Sequence, residues 1–252
     1  MKNNITEDEK KYHDKVALDY SKRQKSLNGW QICEMIFIWK KIHQIYKTNN
    51  SIKILDIGCG PAVNASKNID YFKIYKNQYT GLDLSDEFSR IAANEFGLNV
   101  ISADFLTENE FLKNKKYDVV LALGFLHHLE SIDIALERIS SLANKGAYIF
   151  FRDPNENAFK KWTGDSPHEH PINPDILVKK ARDNGLLLDK IFYINSFFTK
   201  KFIESTFLKF ILKYRMGWII KFYIDVYVSK MFKNDFLVGR DCIYILRKDE
   251  NN

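Results

Sequence analysis

The segment that decides the fold reads Ile52-Lys53-Ile54-Leu55-Asp56-Ile57-Gly58-Cys59-Gly60-Pro61-Ala62. Its first half is apolar and β-favouring, as expected for a strand buried on both faces of a parallel sheet. Gly58 and Gly60 lack a Cβ, so the backbone can turn sharply and a ligand can lie against main-chain atoms. Pro61 favours the first turn of a helix. The segment therefore predicts a ligand site at the carboxyl end of a strand.

Two further predicted strands, 78–83 and 98–102, also lead into an acid, Asp83 and Asp104 respectively. An acid at the end of the second strand can accept hydrogen bonds from both hydroxyls of a ribose. A dinucleotide fingerprint is poorly matched, because Val63 stands where its third small residue would be, and no P-loop lysine follows the turn.

This pattern of Asp-x-Gly-x-Gly followed by acids at the next two strand tips resembles the class I S-adenosylmethionine-dependent methyltransferases that act on small molecules. The resemblance covers residues 50–155 with specific motifs and departs at Ala62, where the family usually has glycine. It implies that the turn wraps the aminoacyl part of the cofactor, that Asp83 binds the ribose and that Asp104 and Phe105 bind the adenine. The cofactor-binding residues predicted in this way are Tyr20, Asp56, Gly58, Cys59, Gly60, Asp83, Leu84, Asp104, Phe105 and Leu123.

Strands and helices alternate through this region, which predicts an α/β fold, a Rossmann-like sheet of seven mostly parallel strands with helices on both faces. Two helices, 6–26 and 30–47, precede the first strand, and in the family such helices form a lid over the cofactor. Short helices are predicted at 107–113 and 131–144, and two closing strands at 186–194 and 240–246. We expect one domain, 1–252, with a lid (1–48), a core (50–196 and 239–248) and a helical insert (197–238) before the last strand.

The insert has its own composition. It carries eight Lys and Arg and three acids, which is +5 of the net charge of +6, and 12 of the 36 aromatic residues. Large apolar residues recur in it at roughly helical spacing, with Gly217 expected to separate two helices. An acceptor pocket or lid, an anionic membrane surface and an oligomer face are the alternatives. Nucleic acid is not expected as a partner, because large aliphatic residues interleave the lysines.

Histidines cluster at two predicted carboxyl-end positions. His127 and His128 follow the fourth strand, and His168 and His170 lie in a proline-bounded loop after the fifth. Histidine suits a general base because its pKa lies near neutrality. We predict His127 or His170 as the base. A divalent metal bound by some of these histidines and Glu169 is the less favoured alternative.

The sequence thus predicts methyl transfer from S-adenosylmethionine to a small or medium organic acceptor with an apolar or aromatic part, at oxygen. The alternatives are a lipid-linked or membrane-delivered acceptor, and a catalytically silent protein that uses the fold to bind a partner. The three cysteines, Cys33, Cys59 and Cys242, are too widely spread for a disulfide framework or a zinc knuckle. With no apolar signal segment near Met1, we expect a cytoplasmic protein, with peripheral membrane contact through 197–238 as an option.

Overall fold

A computed structural model describes residues 2–26, 30–107, 110–158, 170–196, 215–231 and 239–250. Its sheet has seven strands in the order β3-β2-β1-β4-β5-β7-β6. The strands are β1 Ile54–Ile57, β2 Tyr79–Asp83, β3 Val100–Ser102, β4 Tyr117–Leu123, β5 Ala143–Pro154, β6 Leu186–Ser196 and β7 Gly239–Lys248. β7 runs antiparallel to both of its neighbours, and the other pairings are parallel. The predicted fold class is confirmed.

Seven helices accompany the sheet within the described residues. They are α1 Lys2–Ser26, α2 Trp30–Thr48, α3 Val63–Phe72, α4 Asp86–Phe96, α5 Asp133–Leu142, α6 Pro174–Asp183 and α7 Arg215–Met231. Local chemistry sets several of their ends. Ser85 Oγ accepts a hydrogen bond from Phe88 N at the start of α4, and Asn173 caps α6 ahead of Pro174.

Alternate side chains of a strand point to opposite faces of the sheet, and helices cover both faces. Leu55 and Ile57 join a hydrophobic cluster that also includes α5 and α6, whereas Ile54 joins one that includes α2, α3 and α7. The helices cover both faces of the sheet and leave the carboxyl ends of its parallel strands open. The glycine turn and His127 both lie at these carboxyl ends.

Helix α1 lies against α3 and α4. Asp14 on α1 accepts hydrogen bonds from the Ser85 hydroxyl and from Glu87 N at the start of α4. Gln24 accepts one from the side chain of Asn64 on α3. These contacts fix α1 beside the glycine turn.

Two local predictions were wrong. Residues 110–113 form a turn rather than part of a helix, with Leu112 buried beneath it. Gly217 lies inside the first turn of α7 and does not separate two helices there. The remainder of the 197–238 insert lies outside the described residues, as do His168 and Glu169. The predicted domain boundaries stay predictions. Within the described part of the chain, none of the helices has the length and apolarity needed to cross a bilayer.

Candidate active site

A cavity of about 400 Å³ opens at the carboxyl ends of β1, β4 and β5, between α1 and α2. That volume is in the range of about 300–1,000 Å³ that small-molecule sites occupy. Of the residues predicted to bind the cofactor, six line this cavity: Tyr20, Asp56, Gly58, Cys59, Gly60 and Leu123. One of the two predicted bases, His127, lines it as well.

The glycine turn lines the cavity, and both of its glycines have a left-handed backbone. Gly58 has φ +66° and Gly60 has φ +56°. A Cβ on Gly58 would lie 2.8 Å from the ring of Phe125, and one on Gly60 would lie 3.6 Å from the ring of Tyr20. Because these glycines have no side chain, the Phe125 ring can pack directly against Gly58, and a narrow space remains between Gly60 and the Tyr20 ring.

The buried carboxylate of Asp56 faces the same space. The Tyr79 hydroxyl donates a hydrogen bond of 2.9 Å to Asp56 Oδ2. Burial, more than any other cause, raises the pKa of Asp56 to about 7, and the nearby Asp83 adds to the shift. A cation placed beside Asp56 would restore its ionised form.

The other four predicted cofactor residues, Asp83, Leu84, Asp104 and Phe105, do not line the cavity. Asp83 accepts hydrogen bonds from Gly60 N at 2.8 Å and from Ser85 N at 3.0 Å, and burial raises its pKa. Asp104 accepts one from Leu106 N, and Leu84 is half-buried. The role of Phe105 in binding adenine stays a prediction. Its side chain lies in the hydrophobic core, edge-on to Phe125, and is 2% exposed.

His127, a residue of the cavity lining, is paired with the buried Asp153. His127 Nδ1 is 2.8 Å from Asp153 Oδ1, and the backbone N–H of His127 donates to the same oxygen at 3.2 Å. Asp153 is completely buried at the tip of β5, and burial raises its pKa. An aspartate at Nδ1 favours the tautomer with its proton there, so that Nε2 can accept a proton.

The second predicted base, His170, is placed differently. It is exposed, and its backbone N–H donates a 2.7 Å hydrogen bond to the carbonyl oxygen of His127. The structure thus brings the two histidine segments together through the main chain. His170 itself does not line the cavity.

A closed ring of hydrogen bonds forms a third part of the cavity wall. Arg152 donates through Nε to Glu34 Oε2 and pairs through Nη2 with Asp241 Oδ1, both at 3.1 Å. Asn195 Nδ2 donates to Glu34 Oε1 and to Asp241 Oδ2, both at 2.8 Å. We call these four residues the Arg152 ring. It joins α2 to the tips of β5, β6 and β7.

A comparison of the sequence with known protein families agrees with this fold and this site. The model of a methyltransferase-domain family matches residues 30–190, more than half of the chain. The chain is a class I S-adenosylmethionine-dependent methyltransferase.

Relatives of this methyltransferase include the ubiquinone biosynthesis O-methyltransferase of Pelagibacter ubique, which is 26% identical over 167 residues, 60% of this chain and 68% of that protein. An uncharacterised protein of Methanocaldococcus jannaschii is 33% identical over 145 residues, 56% of this chain, and the chain spans 50% of its length. Among solved structures, the magnesium protoporphyrin IX methyltransferase of Synechocystis PCC 6803 superposes with a TM-score of 0.59 at 11% identity, covering 97% of this chain and 100% of that one. At that identity the superposition shows the shared fold alone.

The methyltransferase's cavity fits the amino-acid end of S-adenosylmethionine. Asp56 offers a carboxylate to an ammonium group, and the guanidinium of Arg23, on the same cavity, is suited to a carboxylate. The binding of the ribose by Asp83 stays a prediction; its carboxylate oxygens each hold one backbone hydrogen bond and can accept another. Within the described residues, no group of three or more His, Cys, Asp or Glu is arranged to hold a metal ion.

Sequence reasoning missed several residues of the methyltransferase's site: Arg23, Glu34, Arg152, Asn195 and Asp241. The pairing of Asp153 with His127 was not predicted either. For Glu34 a signal did exist, because it lies four and eight residues before Ile38 and Ile42 in a predicted helix and so shares their face. Such a residue is rarely buried unless it is paired.

Proposed function

We propose that this methyltransferase transfers a methyl group to a hydroxyl group of a small or medium organic acceptor, with His127 as the general base. The observation that carries the proposal is the His127–Asp153 pair at 2.8 Å on the cavity wall. The O-methyltransferase name of the Pelagibacter ubique relative supports the choice of oxygen. Val16, Met35 and Leu123 line the cavity and suit an acceptor with an apolar part.

Bound S-adenosylmethionine supplies a methyl group on a sulfonium, which becomes a neutral thioether once the methyl group has left. The protein's part is to orient the acceptor and to remove its proton. His127 Nε2 takes the hydroxyl proton as the new C–O bond forms, and the buried carboxylate of Asp153 stabilises the resulting imidazolium. Tyr20 and the rest of α1 cover the turn and exclude water from it.

The proposal is tested by comparing His127→Ala, Asp153→Asn and His170→Ala in methyl transfer to phenol, catechol and 4-ethylphenol, followed as S-adenosylhomocysteine formed. We expect His127→Ala to lose about 10²–10⁴-fold in rate, as is typical when a general base is removed. Asp153→Asn should lose activity in the same direction, because the imidazolium loses its charged partner.

His170→Ala serves as the matched control, because its contact with His127 uses the main chain and survives the substitution. We expect it to retain wild-type rates. Binding of S-adenosylhomocysteine, measured by calorimetry, should be unchanged in all three variants. Equal rates for wild type and His127→Ala, or an inactive His170→Ala, would show that the base has been misassigned.

A further inference from the structure

The Arg152 ring and the His127–Asp153 pair face one cavity. Glu34, Arg152 and Asp241 line it together with His127. In the sheet Arg152 is the register partner of Leu123, which leads into the His127 turn. An acceptor whose hydroxyl group faces His127 therefore has the Arg152 ring within the same enclosure.

The charges of the Arg152 ring do not cancel. Two carboxylates, Glu34 and Asp241, share the one guanidinium of Arg152, so the formal charge of the ring is −1. Two neighbouring elements add charges beside the ring. On β5 the carboxylate of Asp153 acts on Arg152 and adds no positive charge. On α7 Asp225 accepts a hydrogen bond from Asn195 N and pairs with Lys221 at 2.7 Å. That pair is neutral as a whole and leaves the surplus in place.

Burial makes this surplus costly. Glu34 is 1% exposed and Asp241 is 9% exposed. Burial raises the pKa of Glu34 to about 8, against the opposing effect of Arg152, and the charge of Asp241 adds to the shift. Near neutral pH the ring is therefore relieved of its extra charge by a proton on Glu34, or by a cation supplied from the cavity.

The ring also has capacity for another donor. Each of its four carboxylate oxygens receives one hydrogen bond from within the ring. A carboxylate oxygen can accept two. The donors of a primary ammonium group are suited to such oxygens, whereas a carboxylate in the same position would meet like charge.

We propose that the Arg152 ring binds a cationic amine on the acceptor, so that the substrate is a molecule with a hydroxyl group at His127 and an ammonium group at Glu34 and Asp241. The hydroxyl half of this assignment rests on the proposed function. The ammonium half rests on the ring alone and concerns binding, not transfer.

The test measures binding to the protein saturated with S-adenosylhomocysteine, by calorimetry, for three phenols that differ in charge. They are tyramine, which carries an ammonium, 4-ethylphenol, which is neutral, and 4-hydroxyphenylacetate, which carries a carboxylate. Above about pH 8, where Glu34 is ionised, we expect tyramine to bind at least about tenfold more tightly than 4-hydroxyphenylacetate, with 4-ethylphenol between them, because the buried negative charge attracts an ammonium group and repels a carboxylate.

Glu34→Gln removes the surplus charge and should bring the affinities of tyramine and 4-hydroxyphenylacetate close together. Glu110→Gln, at an exposed glutamate paired with Lys113, is the control and should preserve the preference. Asp241→Asn is the second variant with the same expectation, should Glu34→Gln fail to fold.

A pH series distinguishes a ring that binds the ligand from one that only stabilises the fold. Below about pH 8 Glu34 holds a proton that an ammonium ligand must displace, so the affinity for tyramine should rise with pH through the neutral range. The affinity for 4-ethylphenol should stay level.

Equal affinities for the three phenols, tighter binding of the carboxylate, or no measurable binding of tyramine would overturn the proposal. His127→Ala should keep the preference for tyramine, because that histidine is not part of the ring. Binding and transfer can therefore fail independently, which separates this inference from the proposed function.

Discussion

Ala62 adopts a left-handed backbone, with φ +52°, directly after the glycine turn. That conformation costs about 1–2 kcal/mol for a residue with a Cβ. Ala62→Gly should therefore raise the free energy of unfolding by up to about 1 kcal/mol, once the greater freedom of glycine in the unfolded chain is subtracted. Urea unfolding measures the difference.

Ala65→Gly is the matched control for this substitution. Ala65 lies in the same helix, α3, past its first residues. Glycine there should lower the free energy of unfolding by about 1 kcal/mol. If both glycines changed stability in the same direction, backbone strain at Ala62 would not be the explanation.

The raised pKa of Asp56 predicts how cofactor affinity depends on pH. Below about pH 7 the carboxyl is protonated and must release its proton before it can pair with an ammonium group. The affinity for S-adenosylhomocysteine should then rise by up to about tenfold per pH unit towards pH 7 and level off above it. Calorimetry across this range provides the measurement, and Asp56→Asn, which has no carboxyl to ionise, should show a shallower dependence. Parallel curves for the two proteins would rule out Asp56 as the titrating group.

At this scale a glycine turn at a strand tip fixes its neighbours locally, and the predicted residues Asp56 and Gly60 do line the cavity. Their binding of the cofactor stays a prediction. The sequence could not pair Asp153 with His127. The two residues are 26 positions apart and meet only because β4 and β5 are neighbours in a particular register. That register is specified by packing across the sheet and not by either strand alone.

Among the elements, α7 carries a buried ion pair. Lys221 and Asp225 lie one turn apart, 2.7 Å from each other, and are 3% and 2% exposed. Asp225→Ala would leave the ammonium group of Lys221 buried without this partner and should destabilise the protein by about 3–5 kcal/mol. Thermal or urea unfolding would report the loss.

The double variant Lys221→Met with Asp225→Leu should recover most of that stability, since a well-packed apolar pair often replaces a buried ion pair without loss. Glu110→Ala, which breaks an exposed pair with Lys113, should cost less than about 1 kcal/mol. A loss for Asp225→Ala as small as that of Glu110→Ala would mean that water reaches Lys221.

The alternation of apolar strands with helices was enough to predict the sheet and most of its helices. It failed at 110–113, because the predicted segment is too short to hold a helix without strong packing. The composition of the insert also gave no sign that the Lys221 side chain is buried against Asp225. Helical spacing identifies a stripe but not the neighbour that will cover it.

For the molecule as a whole, buried acids set the response of stability to pH. Burial raises the pKa of Glu34 to about 8 and that of Asp56 to about 7, and it raises those of Asp83 and Asp153 as well. The folded protein then holds protons that the unfolded chain releases, so its free energy of unfolding falls as pH rises from the unfolded pKa values towards pH 8. The fall should reach at most about 1.4 kcal/mol per pH unit for each such group.

Urea unfolding between about pH 5.5 and pH 8 measures this slope. The variant Glu34→Gln should flatten it, because glutamine carries no titrating proton. Asp86 and Asp133 have lowered pKa values and titrate below this window, so they leave the comparison undisturbed. Stability that increased with pH over the same range would contradict the assigned shifts.

The proposed acceptor site is the part of the molecule that the sequence predicts least well. Motifs for the cofactor are short and local, whereas the Arg152 ring draws its four members from α2, β5, β6 and β7. Such a site is assembled only when the whole sheet has formed. Its charge could be counted only after the fold had brought Glu34 and Asp241 to the same guanidinium.

Arg152 and Asp153 are consecutive on β5, and consecutive side chains of a strand leave by opposite faces. Arg152 lines the cavity, and Asp153 holds the imidazole of His127 by a hydrogen bond. Duplicated genes could therefore diverge in what they modify while inheriting the proposed general base and its aspartate intact. A laboratory library randomised at 34, 152 and 241, with 127 and 153 held constant, would exploit the same separation.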